Sequence, residues 1–355
     1  MRCLLACVLL LIVMPSLLMV APRVCADSYG LHRKPLLRSV RFVDEKFGWI
    51  AGYGGVFHTS DGGRNWQRQP VSVGRITPRE GDRTVENVGQ IVWADQDSCI
   101  IRGEKDLLVG RAQERQWSAV PLTSPDLLRA TFVGFVNQRR GWAIVPGSPG
   151  SVVYATTNGG LDWMREFKAV EPLYDVFAVS EIDVWAVGGE CKLLHTTDGG
   201  LTWKESVVAS GRRRDGRLTD FHAVSFTSPR RGWISGLSGT VLRTTDGGNE
   251  WVRQETGTST RTGLFAISFA DENEGWVVGS KSIIDNDDPP KERNEAVILH
   301  TSDGGLRWET QGPPLEERML DVQALSNGRA WVVGEDGTVL RTVDHGKKWT
   351  RVKLP

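Results

Sequence analysis

The chain has 355 residues, with 43 Lys and Arg against 43 Asp and Glu, so its formal net charge is zero. That balance excludes nucleic acid as the main partner, because phosphate binding needs a basic excess on one surface. Five cysteines in a chain this long make no disulfide framework, and six histidines without ligand spacing call for no metal and no other cofactor.

Residues 1–26 read as a secretory signal: Arg2, an apolar run from Leu4 to Ala21, then Val24, Cys25 and Ala26 as a small-residue cleavage site. Pro15 and that site favour cleavage over retention as an anchor, although the run approaches spanning length. Cys7 lies before the apolar core rather than after it, against a lipoprotein reading. No second apolar segment follows, so no stable membrane insertion is expected after cleavage. Cleavage removes Cys3, Cys7 and Cys25, and leaves Cys99 and Cys191 as two buried free thiols in blades that do not touch. Residues 27–36 form a lead-in, and residues 37–355 a single domain.

That domain is a repeat. His58-Thr-Ser-Asp-Gly-Gly-Arg-Asn-Trp66 recurs at His195 to Trp203, Arg243 to Trp251 and His300 to Trp308. Ala155 to Trp163, with Asn158, and Arg341 to Trp349, with His345, are worn copies, and Gly110 to Trp117 keeps only the tryptophan. The tryptophans recur every 40 to 57 residues, the length of a four-stranded propeller blade. A second column, Phe42-x-Asp44-x3-Gly48-Trp49-x2-Gly52, precedes each box, with Trp93 and Cys99-Ile100 as its altered form in the second blade. Together the two columns place all 14 tryptophans.

Each unit reads as four strands. In the first they are 37–43, 48–52, 56–60 and 65–69, apolar residues alternating between turn signals. The turn between the third and fourth strands closes by an Asp carboxylate accepting backbone N–H groups while a glycine takes the positive-φ corner. The following tryptophan packs on the neighbouring sheet. The expected fold is all-β: a seven-bladed β-propeller of four antiparallel strands per blade. The pattern resembles the BNR/Asp-box propellers, and most closely the photosystem II stability and assembly factor family, over Leu37 to Val352. That resemblance implies a seven-bladed ring and a non-catalytic role in assembling or stabilising a membrane complex, with a basic surface engaging membrane-protein segments. It also implies a photosynthetic setting if the host is photosynthetic.

The recurring residues are structural rather than catalytic. Asp61, Asn158, Asp198, Asp246, Asp303 and Asp344, with Trp66, Trp163, Trp203, Trp251, Trp308 and Trp349, appear once per blade on separate turns, whereas a catalytic pair serves one site. The Gly-Gly pairs precede no helix and cradle no phosphate. The alternative is a carbohydrate-active propeller, a glycoside hydrolase or glycan binder. A sialidase needs a Phe/Tyr-Arg-Ile-Pro motif and a tyrosine nucleophile; this chain offers Gly74-Arg75-Ile76-Thr77 and only Tyr29, Tyr53, Tyr154 and Tyr174. No enzyme activity is expected.

Antiparallel order sends the Asp-box turns to one face and the links between blades to the other. Three insertions share that other face: 72–86; 210–218 with Arg212, Arg213, Arg214 and Arg217; and 280–295 with the run Asp285 to Asp288, which lacks the glycine and distal glutamate of a calcium loop. The second residue of each inner strand, read as Arg38, Gly89, Thr131, Asp175, His222, Phe265 and Asp321, is expected to ring the funnel mouth. The partner site is assigned to Arg212, Arg213, Arg214, Arg217, Arg38, His222, Asp175 and Asp321, for a protein or polypeptide segment of a membrane complex. The protein is expected to be monomeric and exported, to the periplasm or beyond, or to a compartment like the thylakoid lumen.

Overall fold

The computed structural model describes residues 36–71, 89–95, 98–103, 105–111, 116–122, 124–213, 215–284 and 292–355. The expected signal, the lead-in except Leu36, the 72–86 insertion, Arg214 and the Asp285 to Asp288 run lie outside these residues. The described residues form 28 strands in seven four-stranded antiparallel sheets, each in simple sequential order. In the first blade β1 is Leu37–Phe42, β2 Gly48–Gly52, β3 Gly55–Thr59 and β4 Gln67–Arg68. The fourth strand is shorter than the alternation suggests. The inner strands of the other blades are β5 (Ile91–Ala94), β9 (Phe132–Phe135), β13 (Leu173–Ala178), β17 (Phe221–Ser228), β21 (Thr262–Phe269) and β25 (Met319–Leu325).

A single blade has two apolar faces and no core of its own. Seven apolar clusters form, each between two neighbouring blades. Trp49, Trp142, Trp185, Trp233, Trp276 and Trp331, near the start of the second strand of their blades, are at most 3% exposed. Burial on this scale, about 3 kcal/mol for each large side chain, falls on every junction. Cys99 and Cys191 are both buried free thiols.

The two glycines around that tryptophan are dictated by close approach. A Cβ on Gly48, Gly232 or Gly275 would enter the ring of Phe42, Phe226 or Phe269, the aromatic six residues earlier. A Cβ on Gly52, Gly188 or Gly236 would strike the carbonyl oxygen just before the inner strand. The motif is therefore a packing rule: the aromatic lies flat over a bare backbone, and the tryptophan fills the space beside it.

The Asp boxes close identically. In the first, Asp61 Oδ1 accepts from the amides of Arg64 (3.0 Å) and Asn65 (2.9 Å) and from the Thr59 hydroxyl (2.9 Å), while Thr59 Oγ1 accepts from the Gly63 amide at 2.9 Å. Three of these bonds, from the threonine hydroxyl, the second-glycine amide and the amide four residues past the aspartate, recur through Thr196 and Asp198, Thr301 and Asp303, and Thr342 and Asp344. Asn158 serves in the third blade by accepting from the Asp162 amide at 3.0 Å. Trp66 packs edge-on to Trp331 of the seventh blade and Trp251 edge-on to Trp185 of the fourth, in each case across a junction.

Candidate partner-binding face

Strand alternation puts the first-to-second and third-to-fourth turns on the Asp-box face, and the interblade links with the second-to-third turns on the other. That second face carries the long segments. In the sixth blade the described parts of the insertion, 280–284 and 292–295, are strand rather than loop. Strands β22 (Gly275–Ile284) and β23 (Glu292–Thr301) run on in continuous register to Ile284 opposite Glu292, longer than their counterparts in the other blades.

The arginine segment is a closed turn. After the short 3-10 turn Ala209–Gly211, the Gly216 amide donates to Arg213 O and the Arg213 amide to Arg217 O, both at 2.8 Å. Asp215 sits between Arg213 and Arg217, with N···O separations of 3.7 and 3.9 Å. Arg217 keeps its side chain 78% exposed, whereas Arg213 is about two-thirds covered and its Nε is shielded without a hydrogen-bond partner. Arg253 braces the turn from β20 (Val252–Gln254), donating to Arg212 O at 3.2 Å and reaching toward Gly211 O and Ser238 O. Beside it lies a cleft of about 340 Å³, bordered by Arg213, Arg253, Glu255 and the hydroxyl residues Ser238, Thr256, Thr258 and Ser259. The sequence offered no signal for Arg253, since strands after a box carry charged residues freely.

All seven inner strands line a central channel of about 590 Å³. The expected ring of second residues is corrected by the register. A β-bulge shifts the pairing of β1, β5, β13, β17, β21 and β25, so two adjacent residues follow one another where one was counted. The bulge positions are Arg38, Val92, Tyr174, His222, Phe265 and Leu320. Asp175 and Asp321 lie one residue further, at the position of Ser39, Trp93, Ala223 and Ala266. Gly89 and Thr131 fall before the strands of their blades. Tyr174, His222 and Phe265 form an aromatic arc: the imidazole stacks on Tyr174 (5.3 Å, 10°) and meets Phe265 edge-on (5.7 Å, 76°). Burial holds the His222 imidazole below its usual range, opposed by the nearby Asp220.

The two channel aspartates work on the backbone. Asp321 Oδ2 accepts from the Val40 amide of the first blade and Oδ1 from Val322, both at 2.9 Å. Asp175 does the same with Val224 and Val176, both at 2.9 Å. An inner strand has an unpaired edge, and these carboxylates, with Ser268 Oγ on Ala324 and Gln323 Oε1 on Phe42, satisfy its amides from the preceding blade. On the Asp-box face, His195 bonds Asp183 at 2.9 Å and His300 bonds Glu274 at 3.2 Å, so both histidines serve their own blade. Among the described residues no group of His, Cys, Asp or Glu is arranged to hold a metal.

A sequence profile of the family described as Photosynthesis system II assembly factor YCF48 matches residues 209–286 and 293–355. The Photosystem II assembly protein Ycf48 of Synechococcus sp. (strain JA-2-3B'a(2-13)) is 35% identical over 201 residues, 55% of this chain and 54% of that protein. This chain is a BNR-type propeller similar to photosystem II assembly factors. The Photosystem II stability/assembly factor HCF136 of Arabidopsis thaliana is 24% identical over 250 residues, covering 67% of this chain and 60% of that protein. The chain thus spans about half the length of the curated Ycf48 relatives it matches. Among solved structures, YCF48 bound to D1 peptide superposes with a TM-score of 0.62 at 17% identity, covering 88% of this chain and 95% of that one. YCF48 from Cyanidioschyzon merolae gives 0.61, also at 17% identity, covering 88% and 96%. A Niastella koreensis GH74 enzyme shares the fold at 0.60 and 12% identity. Likeness at that distance concerns the ring alone, so it lends the carbohydrate-active alternative no weight.

Proposed function

We propose that this propeller is an exported, non-catalytic binding protein that holds a polypeptide segment on the face opposite its Asp boxes, as an assembly or stability factor for a membrane complex. The observation that carries the reading is the braced arginine turn: Arg212, Arg213 and Arg217 are fixed on the insertion-bearing face beside a hydroxyl-lined cleft. Guanidinium groups on a turn whose backbone is already held suit carboxylate recognition, because less backbone freedom is lost on binding. The relatives named assembly factors support the role, and one similar structure holds a D1 peptide. Among the described residues no helix is long and apolar enough to cross a membrane. The box aspartates are each committed to their own turn, which leaves them no part in acid–base chemistry.

The test is direct binding of a labelled D1-type peptide by fluorescence anisotropy. Reversing Arg212, Arg213 and Arg217 to Glu weakens binding more than tenfold if the face is right, as expected for loss of several charge-assisted contacts (about 1.5 kcal/mol or more each). Equal affinity of the variant and the parent removes those arginines from the reading.

A further inference from the structure

The arginine turn runs directly into the mouth of the channel. Arg217 stands five residues before His222 of β17, at most about 18 Å along an extended chain. Asp220 between them is tied three ways, so the spacing is held. Its Oδ1 accepts from the Glu190 amide at 3.2 Å, its Oδ2 from the Tyr174 hydroxyl at 3.4 Å, and its carbonyl oxygen from the Leu237 amide at 2.9 Å. Tyr174, His222 and Phe265, from three successive blades, stand half-buried on the channel wall and pack their rings on one another. Neither Tyr174 nor Phe265 belongs to an apolar cluster between blades, although Phe269, on the same strand as Phe265, does. Aromatic surface kept out of every core and left partly open to water suits recognition.

An apolar tread joins this arc to the arginines. Leu237, 36% exposed in the second-to-third turn of the fifth blade, lies beside Phe265. A Cβ on Gly263 would meet Phe265 Cε1 at 2.7 Å and Leu237 Cδ2 at 3.4 Å, so only a bare backbone lets the two side chains flank that point. The next residue, Ser238, borders the cleft of Arg213 and Arg253, with its carbonyl oxygen 3.5 Å from Arg253 Nη2. We propose, on the strength of the binding face described above, that the channel mouth is a second anchor for the same polypeptide. It takes one aromatic side chain, laid on Phe265 and His222, within about five residues of the acidic group held by the arginine turn. A ring continues the stacked and edge-on packing that the arc already uses, whereas an aliphatic chain gains area alone. Charge and apolar surface at this separation, joined by one path, fit an extended chain that carries both groups.

The experiment is a double-mutant cycle on the full chain, read by fluorescence anisotropy at one salt concentration. The probes are labelled peptides with a Glu-Glu pair and one Phe placed two to six residues away, each with twins carrying Ala or Leu in place of the Phe. At the matching spacing the Phe peptide binds about tenfold more tightly than its Ala twin, and more tightly than its Leu twin. Phe265→Ala abolishes that difference and leaves the Ala twin's affinity unchanged. Leu237→Ser, at a position already more than a third exposed, reduces the same difference and guards against a misfolded alanine variant. Equal binding of Phe and Ala twins by the parent, equal binding of Phe and Leu twins, or a Phe265→Ala variant that weakens all twins alike overturns the proposal. Reversal of Arg212, Arg213 and Arg217 to Glu separates the two readings. Should it weaken every peptide while the ring makes no difference, the anchor alone falls; should it weaken none, the proposed function falls with it.

Discussion

Phe42 of the first blade lies flat on Trp331 of the seventh, ring centroids 4.8 Å apart and planes 17° from parallel. Trp66 meets both rings edge-on, at 5.9 and 5.5 Å. Around this trio, Gln323 exchanges both its amide groups with the Phe42 backbone, and Glu45 takes hydrogen bonds from Asn327 and Arg329. The two ends of the domain are thereby joined as tightly as blades adjacent in sequence.

Trp331→Ala therefore tests closure. Trp331 is 2% exposed, and truncating a buried aromatic costs about 3–5 kcal/mol. The expected result is a loss of that size in chemical denaturation, with exchange protection falling first in β1 and β25. Equal loosening of all seven blades would show instead that the ring opens at no preferred junction.

The box threonine does two things, donating to the aspartate and accepting an amide buried at the second glycine. Thr196→Val keeps the shape and removes both. The Gly200 amide, now unpaired and buried, costs about 1–3 kcal/mol. A thermal melt with no change would assign the turn's strength to backbone geometry alone.

Acid titration should show the boxes as a group. Hydrogen bonds from the Thr202 side chain and amide and from Thr196 lower Asp198 to about 2, and Asp246 and Asp344 move in the same direction, led by the amides of Glu250 and Lys348. Folded values below the ordinary 3.8 mean that this stabilisation is complete above about pH 4 and is lost as pH falls toward 2. Asn158 shows that an amide can fill the position, so Asp198→Asn folds and loses its share of the acid-labile stability. Tryptophan fluorescence from pH 5 to 1.5 reads the difference.

Most of the fold was legible because a repeat multiplies its own signal. The six-residue step from Phe42 to Gly48, the tryptophan after it and the box spacing each report one contact, and each recurs in several blades. The inner strands were not legible in the same way. Their bulge adds one residue without a turn signal, so Asp175 and Asp321 were aligned with Arg38 and His222 although they stand a residue apart. Their amide-holding role also depends on the neighbouring blade, which no local pattern encodes. Arg253 was invisible for the same reason: it matters through the turn it braces, some forty residues earlier in the chain. The hairpin of the sixth blade read as a loop because Asp285 to Pro290 broke the alternation, while Ser280 to Ile284 and Glu292 to Ala296 pair as strand.

His222, on the channel, is held toward its neutral form by burial. Its ring is stacked on Tyr174, edge-on to Phe265, and its Nε2 is shielded without a hydrogen-bond partner, so burial favours the neutral imidazole. The unfolded chain takes up a proton below about 6.5, and the folded one resists. This residue therefore costs stability as pH falls from about 6.5, and adds nothing above it. Phe265 occupies the same bulge position one blade on, so an aromatic hydrocarbon fits the site. His222→Phe should then match the parent at pH 8 and exceed it at pH 5 in urea midpoint. A variant that falls behind at both values would mean that the imidazole is held by a bond worth more than its burial costs, and that the channel mouth is more polar than its walls indicate.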